Sequence, residues 1–481
     1  MKKIQNYING DLISPVGKKI IDNINPASGE VYSSIPRSDH KDLDLAIQSA
    51  GAAFDGWSKT SKDERSKILY RISEKIEANL DQLAAAESID NGKPLHLARK
   101  TDIPRAAHNF RFFATAILHF SSESHEMENT AINYTLRKPL GIVGCISPWN
   151  LPLYLFSWKI APALASGNCV IAKPSEITPM TAFLLSKICI EAGLPKGVLN
   201  ILHGYGHEIG AEIVAHSKIK AISFTGGTKT GAEIAKIAAP QFKKLSLELG
   251  GKNPTIIFED CDYDKMLKTT LRSSFLNQGQ ICLCGSRIFI QKGIYEKFKK
   301  DFISGTKSLK VGDPKNPQTH QGALVSEDHL KKVLQYVELA KKEGGKLLCG
   351  GHRLDLSKKG LNGFFMEPTI FENLPYDCRT NQEEIFGPVV TLTPFESEEE
   401  VIQMANSTDY GLATSIWTNN IHKANRLGNS IESGIIWINC WLLRDLRTPF
   451  GGMKNSGVGR EGGQEALRFF TEAKNICIRY Q

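Results

Sequence analysis

A chain of 481 residues is too long for one simple core, and at roughly 100–200 residues per domain two or three domains are expected. Its 41% hydrophobic and 23% charged residues are ordinary for a globular protein. The net charge of +8 comes from 59 Lys+Arg against 51 Asp+Glu, and no basic run or basic/aromatic block is dense enough to make nucleic acid a partner.

The chain opens MKKIQNYINGD, two lysines followed by polar residues, so no signal peptide is expected. No stretch approaches the roughly 20 apolar residues that span a bilayer, so no membrane partner is expected. The ten cysteines show no C-x-x-C pair and no regular spacing. Neither a disulfide framework nor a metal site is indicated, and a reducing, cytoplasmic setting fits best.

Ser61-Lys62-Asp63-Glu64 has the spacing of a capping box, and a long helical pattern follows to about Ile89, closed by Asn91-Gly92 and Pro94. A second helix is expected over Ile103 to Phe120. The chain then alternates. Strands are expected at Leu140 to Ile146, Cys169 to Ala172, Val198 to Leu202, Ala221 to Phe224 and Leu245 to Leu249. Helices are expected from about Thr178, at Glu208 to Ala215 and at Gly231 to Ala238. This is the pattern of right-handed βαβ units and a parallel sheet, an α/β fold whose ligands bind beyond the carboxyl ends of the strands. A second alternating stretch begins near Gly251, with a helix over Tyr263 to Leu276, a strand at Ser286 to Gln291 and a helix from Tyr295. Asn277 to Gly285 is the polar loop between its first helix and that strand.

Three segments carry candidate chemistry: Ile146-Ser147-Pro148-Trp149-Asn150, Leu247-Glu248-Leu249-Gly250-Gly251-Lys252 and Asn277-Gln278-Gly279-Gln280-Ile281-Cys282. Together they offer a carboxamide, a carboxylate and a thiol. Aldehyde oxidation needs that set. A thiolate attacks the carbonyl carbon, amide donors hold the new oxyanion, and a carboxylate activates water to hydrolyse the thioester left after hydride loss. Taken singly, each residue reads more simply as a packed thiol, a solvated acid or a turn-closing Asn. Their joint occurrence in extended motifs reverses that reading.

These segments resemble the signatures of the aldehyde dehydrogenase superfamily, from Asn6-Tyr7-Ile8-Asn9-Gly10 to Pro449-Phe450-Gly451-Gly452 and the tail beyond. The resemblance implies a Rossmann-like NAD-binding domain, an α/β catalytic domain and a small β oligomerisation element. It implies Cys282 as nucleophile, Glu248 as general base and Asn150 as oxyanion donor. By position Cys284 is not the nucleophile. Lys173-Pro174-Ser175-Glu176 matches the family's ribose-binding motif, and Glu176 would repel a 2′-phosphate, which favours NAD over NADP. Phe224-Thr225-Gly226-Gly227 stands where the family has Phe-Thr-Gly-Ser, so Gly227 keeps a backbone N–H but lacks the hydroxyl that helps hold the pyrophosphate. Trp149 and Leu249 are further cofactor candidates. In Glu383-Glu384-Ile385-Phe386-Gly387-Pro388, Glu384 would hold the nicotinamide ribose and Phe386 would pack by the nicotinamide.

Within the family, the chain is most similar to enzymes acting on 2-aminomuconic semialdehyde in tryptophan breakdown by the kynurenine route. The segments that carry this are Asp102-Ile103-Pro104-Arg105, Asn109 to Phe113, Ile281 to Cys284 and Asn439 to Arg444. That substrate has a carboxylate distal to its aldehyde, and arginine binds carboxylates in bidentate fashion. The resemblance points to Arg105 and Arg444, with Arg111 and Arg447 as nearby candidates. 2-Hydroxymuconic semialdehyde and betaine aldehyde are the alternative substrates. A cationic aldehyde would favour an aromatic pocket, to which Tyr154, Trp158 and Trp441 could contribute. An acylating enzyme would lack Glu248, and a non-catalytic protein on this fold would not need the triad. The expected division is residues 1–120 and 140–250 for cofactor binding, 251–450 for catalysis, and 121–139 with 451–481 for assembly into a homodimer or homotetramer. Partial strand alternation over Ile132 to Lys138 fits an arm that pairs with another subunit.

Overall fold

The protein is described by a computed structural model covering residues 2–481. Asp39 and Asp42 form a capping box that opens α1 (His40–Lys59). Ser61 caps α2 (Lys62–Ala78), accepting from the Glu64 amide at 3.2 Å. The helix expected to run unbroken to Ile89 is cut at Asn79. Its backbone leaves the helical region (φ −104°, ψ 20°) and its side chain turns back onto the Lys75 carbonyl at 2.8 Å. A short amide competing with the helix backbone is the physical reason. α3 (Leu80–Asn91) resumes and stops at Gly92, left-handed at φ 82°, as the Asn-Gly pair predicts. A π-helical stretch, Ala98–Asp102, leads into α4 (Ile103–Ala116).

The first sheet is built from β1 (Ile142–Ile146), α5 (Pro152–Ala165), β2 (Cys169–Lys173), α6 (Met180–Glu191), β3 (Leu199–Ile201), β4 (Ile219–Thr225), α7 (Thr228–Ala238) and β5 (Lys244–Glu248). Five parallel strands stand in the order β5-β4-β1-β2-β3. Antiparallel edges are added by Gly457–Val458 beside β5 and by Asn6–Ile8 and Asp11–Ile13 beyond β3. Every residue of α5 is buried, as befits a helix that is apolar nearly all round and packed between α4 and the sheet. In register, Ile146 lies beside Lys173 and Phe224, and Thr225 beside Glu248. One carboxyl edge therefore gathers most of the residues singled out above.

The second sheet contains β6 (Asn253–Ile257), α8 (Tyr263–Phe275), β7 (Gly285–Gln291), α9 (Tyr295–Lys307), α10 (Glu327–Lys342), β8 (Thr369–Glu372), β9 (Val389–Phe395), β10 (Ala413–Trp417) and β11 (Ile435–Ile438). Its order is β8-β9-β7-β6-β10-β11, all parallel, with Lys346–Cys349 antiparallel at the β8 edge. A third sheet pairs Ala131–Pro139 with Ser124–Met127 and with Thr471–Arg479. The tail is thus shared between the first sheet and the third. Among the described residues, no helix is long and apolar enough to cross a membrane.

Candidate active site

Between α8 and β7 the backbone makes a turn that most side chains avoid. Asn277 (φ 53°), Gln278 (φ 57°) and Gly279 (φ 68°) are all left-handed. A Cβ on Gly279 would lie 2.3 Å from the Gly387 carbonyl oxygen, so only glycine fits. Gln278 Nε2 donates to the Ala323 carbonyl at 2.8 Å, and the Val325 amide donates to Gln280 Oε1 at 3.1 Å. Asn253 Nδ2, from the start of β6, donates to the carbonyls of Cys282 (2.6 Å) and Cys284 (2.9 Å). This turn sets Cys282 half-buried, where it lines both cavities described below. Cys284 is buried, with Sγ 4.0 Å from the Leu276 carbonyl. Burial pushes the Cys282 thiol up, the Glu384 and Glu248 charges add to this, and Arg444 opposes it.

Asn150, beyond the end of β1, is tied to the same turn. Its Nδ2 donates to the Gln280 carbonyl at 3.0 Å, which leaves a second N–H, and its Oδ1 is buried without a partner. Its backbone carbonyl accepts from Lys93 Nζ and Asn277 Nδ2, each at 3.0 Å. Lys93 is fully buried and pairs with Asp102 at 2.6 Å. Residues separated by more than a hundred positions are thereby locked together.

Glu248 ends β5, buried, with Oε1 unpartnered. Gly451 gives it room, since a Cβ there would lie 2.8 Å from that oxygen. Behind it Glu461 pairs with Lys159 of α5 at 2.7 Å, and Ser223 Oγ donates to Glu461 at 3.3 Å. Burial raises Glu248 well above the usual carboxylate range. The Glu461 charge raises it further, while Lys159, Arg444 and Arg460 pull it back.

One cavity, of about 250 Å³, brings together Trp149, Asn150, Thr225, Gly226, Gly227, Leu249, Cys282, Glu384 and Phe386. Glu384 is anchored by the Gly251 amide at 2.9 Å, and a Cβ on Gly250 would collide with it at 2.5 Å. Gly227 caps α7 and faces open space. Lys173 and Glu176 pair at 2.9 Å just beyond β2, and Ser175 Oγ accepts from the Ile177 amide at 3.3 Å. Burial works to raise Glu176, but Lys173 and backbone amides hold it below the usual carboxylate range. Lys173, Ser175 and Glu176 lie outside the lining of the cavity at Cys282.

On the other side of Cys282 lies a narrower pocket lined by Asp102, Tyr154, Glu248, Arg444, Phe450 and Glu461, among others. The Arg444 guanidinium sits 3.7 Å from the Phe450 ring centre and 4.5 Å from that of Trp158. Its Nη1 donates to Tyr154 Oη at 3.1 Å, and its Nη2 is buried with no partner.

The family model for the aldehyde dehydrogenase family matches residues 13–476. The chain belongs to the aldehyde dehydrogenase family. The 2-aminomuconic semialdehyde dehydrogenase of Bos taurus is 48% identical over 99% of this chain and 98% of its own length. The 2-hydroxymuconic semialdehyde dehydrogenase of a Pseudomonas species is 44% identical over the whole of both. The NAD+ complex of a Bacillus cereus aldehyde dehydrogenase superposes with a TM-score of 0.97 at 38% identity, covering 100% of this chain and 97% of that one.

This aldehyde dehydrogenase is an NAD-dependent oxidoreductase acting on an aldehyde. Its own residues fit the cofactor. Thr225 Oγ1 is buried without a partner at the cavity, Gly226 and Gly227 at the N-terminus of α7 line it, and the Lys173–Glu176 pair stands at the end of β2, two strands away in the same sheet. Of the four arginines considered, only Arg444 lines the pocket. Arg105 is half-buried behind it, 5.5 Å over the Tyr154 ring. Arg111 pairs with Glu77 at 2.6 Å, and exposed Arg447 pairs with Asp445 at 2.6 Å, so ordinary ion pairing accounts for both. Sequence reasoning missed Glu461, Lys159 and Lys93 entirely. Trp441, an aromatic candidate for a cationic substrate, instead donates from Nε1 to the Leu283 carbonyl at 2.9 Å.

Proposed function

We propose that this aldehyde dehydrogenase oxidises a semialdehyde with a distal carboxylate, of the 2-aminomuconic type, to the corresponding dicarboxylate. 2-Hydroxymuconic semialdehyde is the second reading, because its carboxylate would use the same contact. The observation that carries the proposal is Arg444, a cation against the rings of Trp158 and Phe450 with a buried, unpartnered Nη2, lining the pocket that also holds Cys282 and Glu248. A buried donor without a partner is costly and calls for an anionic acceptor. A quaternary ammonium such as betaine aldehyde would meet that charge head-on. The names of the muconic semialdehyde relatives point the same way.

In this reading Cys282 Sγ, as the thiolate with its proton given up to solvent, bonds to the aldehyde carbon. The remaining N–H of Asn150 and the Cys282 amide hold the oxyanion. Thr225 to Gly227, Lys173 to Glu176 and Glu384 to Phe386 would hold NAD, which would supply the acceptor for the aldehyde hydride. The acyl group is left as a thioester on Cys282. Glu248 then takes a proton from water, the water oxygen bonds to the acyl carbon, the carbon–sulfur bond breaks, Glu248 passes the proton to Cys282 Sγ, and the acid leaves with the thiol and the carboxylate both restored.

The same reading divides the chain into a cofactor part (1–120 and 140–250), a catalytic part (251–450) and an assembly part (121–139 and 451–481) of a cytoplasmic homodimer or homotetramer. The third sheet supports the last of these, because Thr471–Arg479 is exposed over most of its length.

The test is NADH formation with 2-hydroxymuconic semialdehyde, betaine aldehyde and a simple aliphatic aldehyde. Cys282→Ala should abolish all activity. Arg444→Met should cut kcat/KM for the semialdehyde by about 10- to 150-fold, the worth of a charge-assisted hydrogen bond, and spare the aliphatic aldehyde. A wild type that prefers betaine or aliphatic aldehyde would overturn the substrate reading.

A further inference from the structure

The loop Glu383 to Phe386 is gripped by one face of α10. His329, Lys332 and Tyr336 stand at i, i+3 and i+7, spacings that place side chains above one another on a helix. Each reaches the same loop. His329 Nε2 lies 2.7 Å from the Phe386 carbonyl oxygen, Lys332 Nζ donates to the Glu384 carbonyl at 3.4 Å, and Tyr336 Oη donates to Glu383 Oε2 at 2.7 Å. Ser326 caps the helix by accepting from the His329 amide at 3.2 Å, which fixes the first turn that carries the ring.

His329 holds the tip of the loop, where the backbone is least comfortable. Phe386 is left-handed at φ 61°, a conformation that a bulky aromatic residue avoids unless its surroundings impose it. A carbonyl only accepts, so Nε2 carries the proton. Burial pushes His329 down to about 4, which leaves the ring neutral with a single N–H already committed to Phe386. The rings of His329, Phe386 and Trp149 form one edge-to-face cluster, with centroids 5.0 Å apart for His329–Trp149, 5.3 Å for Phe386–Trp149 and 6.2 Å for His329–Phe386, and all three line the cavity at Cys282.

We propose that His329 is a positioning residue for the nicotinamide half of NAD: by donating to the Phe386 carbonyl it holds that residue left-handed, and so sets where the Phe386 ring and the Glu384 carboxylate meet the cofactor. The proposal rests on the reading that Glu384 and Phe386 serve the nicotinamide end. His329 acts through them and touches no reacting atom. Glutamine can place an amide N–H near the Nε2 position, whereas leucine keeps the bulk and removes the donor.

The experiment uses wild type, His329→Leu, His329→Gln and Glu384→Gln, all without aldehyde. Calorimetry gives Kd for NAD and for ADP, which has the adenosine half alone, and hydrogen exchange reads the amides of residues 383–387. The expected result is that His329→Leu weakens NAD by about 2- to 13-fold, the worth of one neutral hydrogen bond, leaves ADP unchanged and speeds exchange in the loop. His329→Gln should restore most of both. Wild-type NAD affinity and exchange in His329→Leu, with Glu384→Gln weakened, overturns the proposal and leaves the site reading intact. Unchanged NAD affinity in both His329→Leu and Glu384→Gln overturns the site reading itself. Equal losses for ADP and NAD in His329→Leu mark a general loss of structure and overturn the positioning role.

Discussion

Glu248 carries two burdens at once, a buried site and the Glu461 charge behind it, and both raise it above the usual carboxylate range. Replacing Glu248 with Gln should leave a burst of NADH about equal to the enzyme present. Steady turnover should fall by about 10²- to 10⁴-fold, since hydrolysis loses its base. Turnover unchanged after the burst would sink the assigned role. The charge of Glu461 is testable separately. A raised carboxyl is a base only above its own value, so turnover should fall as pH drops through it. Glu461→Gln removes one cause of the rise and should move that acid limb to lower pH, read from the pH profile of kcat; a limb that stays put or moves up would contradict it. Much of this site was legible as contiguous motifs, because Glu248 ends β5, Asn150 follows β1 by four residues and Cys282 lies in the turn before β7. Glu461 and Lys159 were not, since they meet at 2.7 Å across 302 positions of sequence, and neither lies in a pattern that distinguishes it from a surface charge.

At the level of the element, α7 presents a site that glycine leaves half-furnished. Gly227 is its cap, with φ −70° and ψ 147°, values any residue adopts, and a Cβ there meets nothing within 4 Å. Gly227→Ser should therefore fold without strain. Its hydroxyl can cap the helix, worth a few tenths of a kcal/mol over glycine, and can add a donor to an anion at the helix N-terminus. The expected outcome is a lower Kd for NAD by about 2- to 13-fold with a slightly higher Tm; an unchanged Kd would mean that no phosphate group approaches this turn. Gly226→Ala is the contrasting control, because its Cβ would lie 2.4 Å from the Phe224 ring. The alternation of strands and helices was readable where a short apolar run ends at Ser or Pro, as β1 does at Ser147-Pro148 and β2 at Pro174. The break at Asn79 was not, because its cause is a side-chain hydrogen bond that apolar periodicity does not encode.

Across the whole molecule the active site is a junction. The first sheet supplies Asn150, Thr225 and Glu248, the second supplies Cys282 and Glu384, and the chain beyond β11 supplies Arg444 and Glu461. The β-α alternation announced the five parallel strands of the first sheet and β7 of the second, whereas the way the tail divides, Gly457–Val458 to the first sheet and Thr471–Arg479 to the third, depends on pairings too distant for local pattern to show. That third sheet makes its own prediction. Ile478 and Met127 are each 50% exposed, Ile476 is half-buried, and both ribbons flanking Ala131–Pro139 leave large apolar side chains in contact with water. Long flat strands with such faces invite a partner. Met127→Lys combined with Ile478→Lys places charges on that surface and touches no residue of the two cavities at Cys282. Light scattering of the wild type should give the mass of two or four chains, and the double variant should give a smaller assembly that still shows a burst of NADH. A wild type of one-chain mass, or a double variant that keeps its assembly, would remove the third sheet from any role in association.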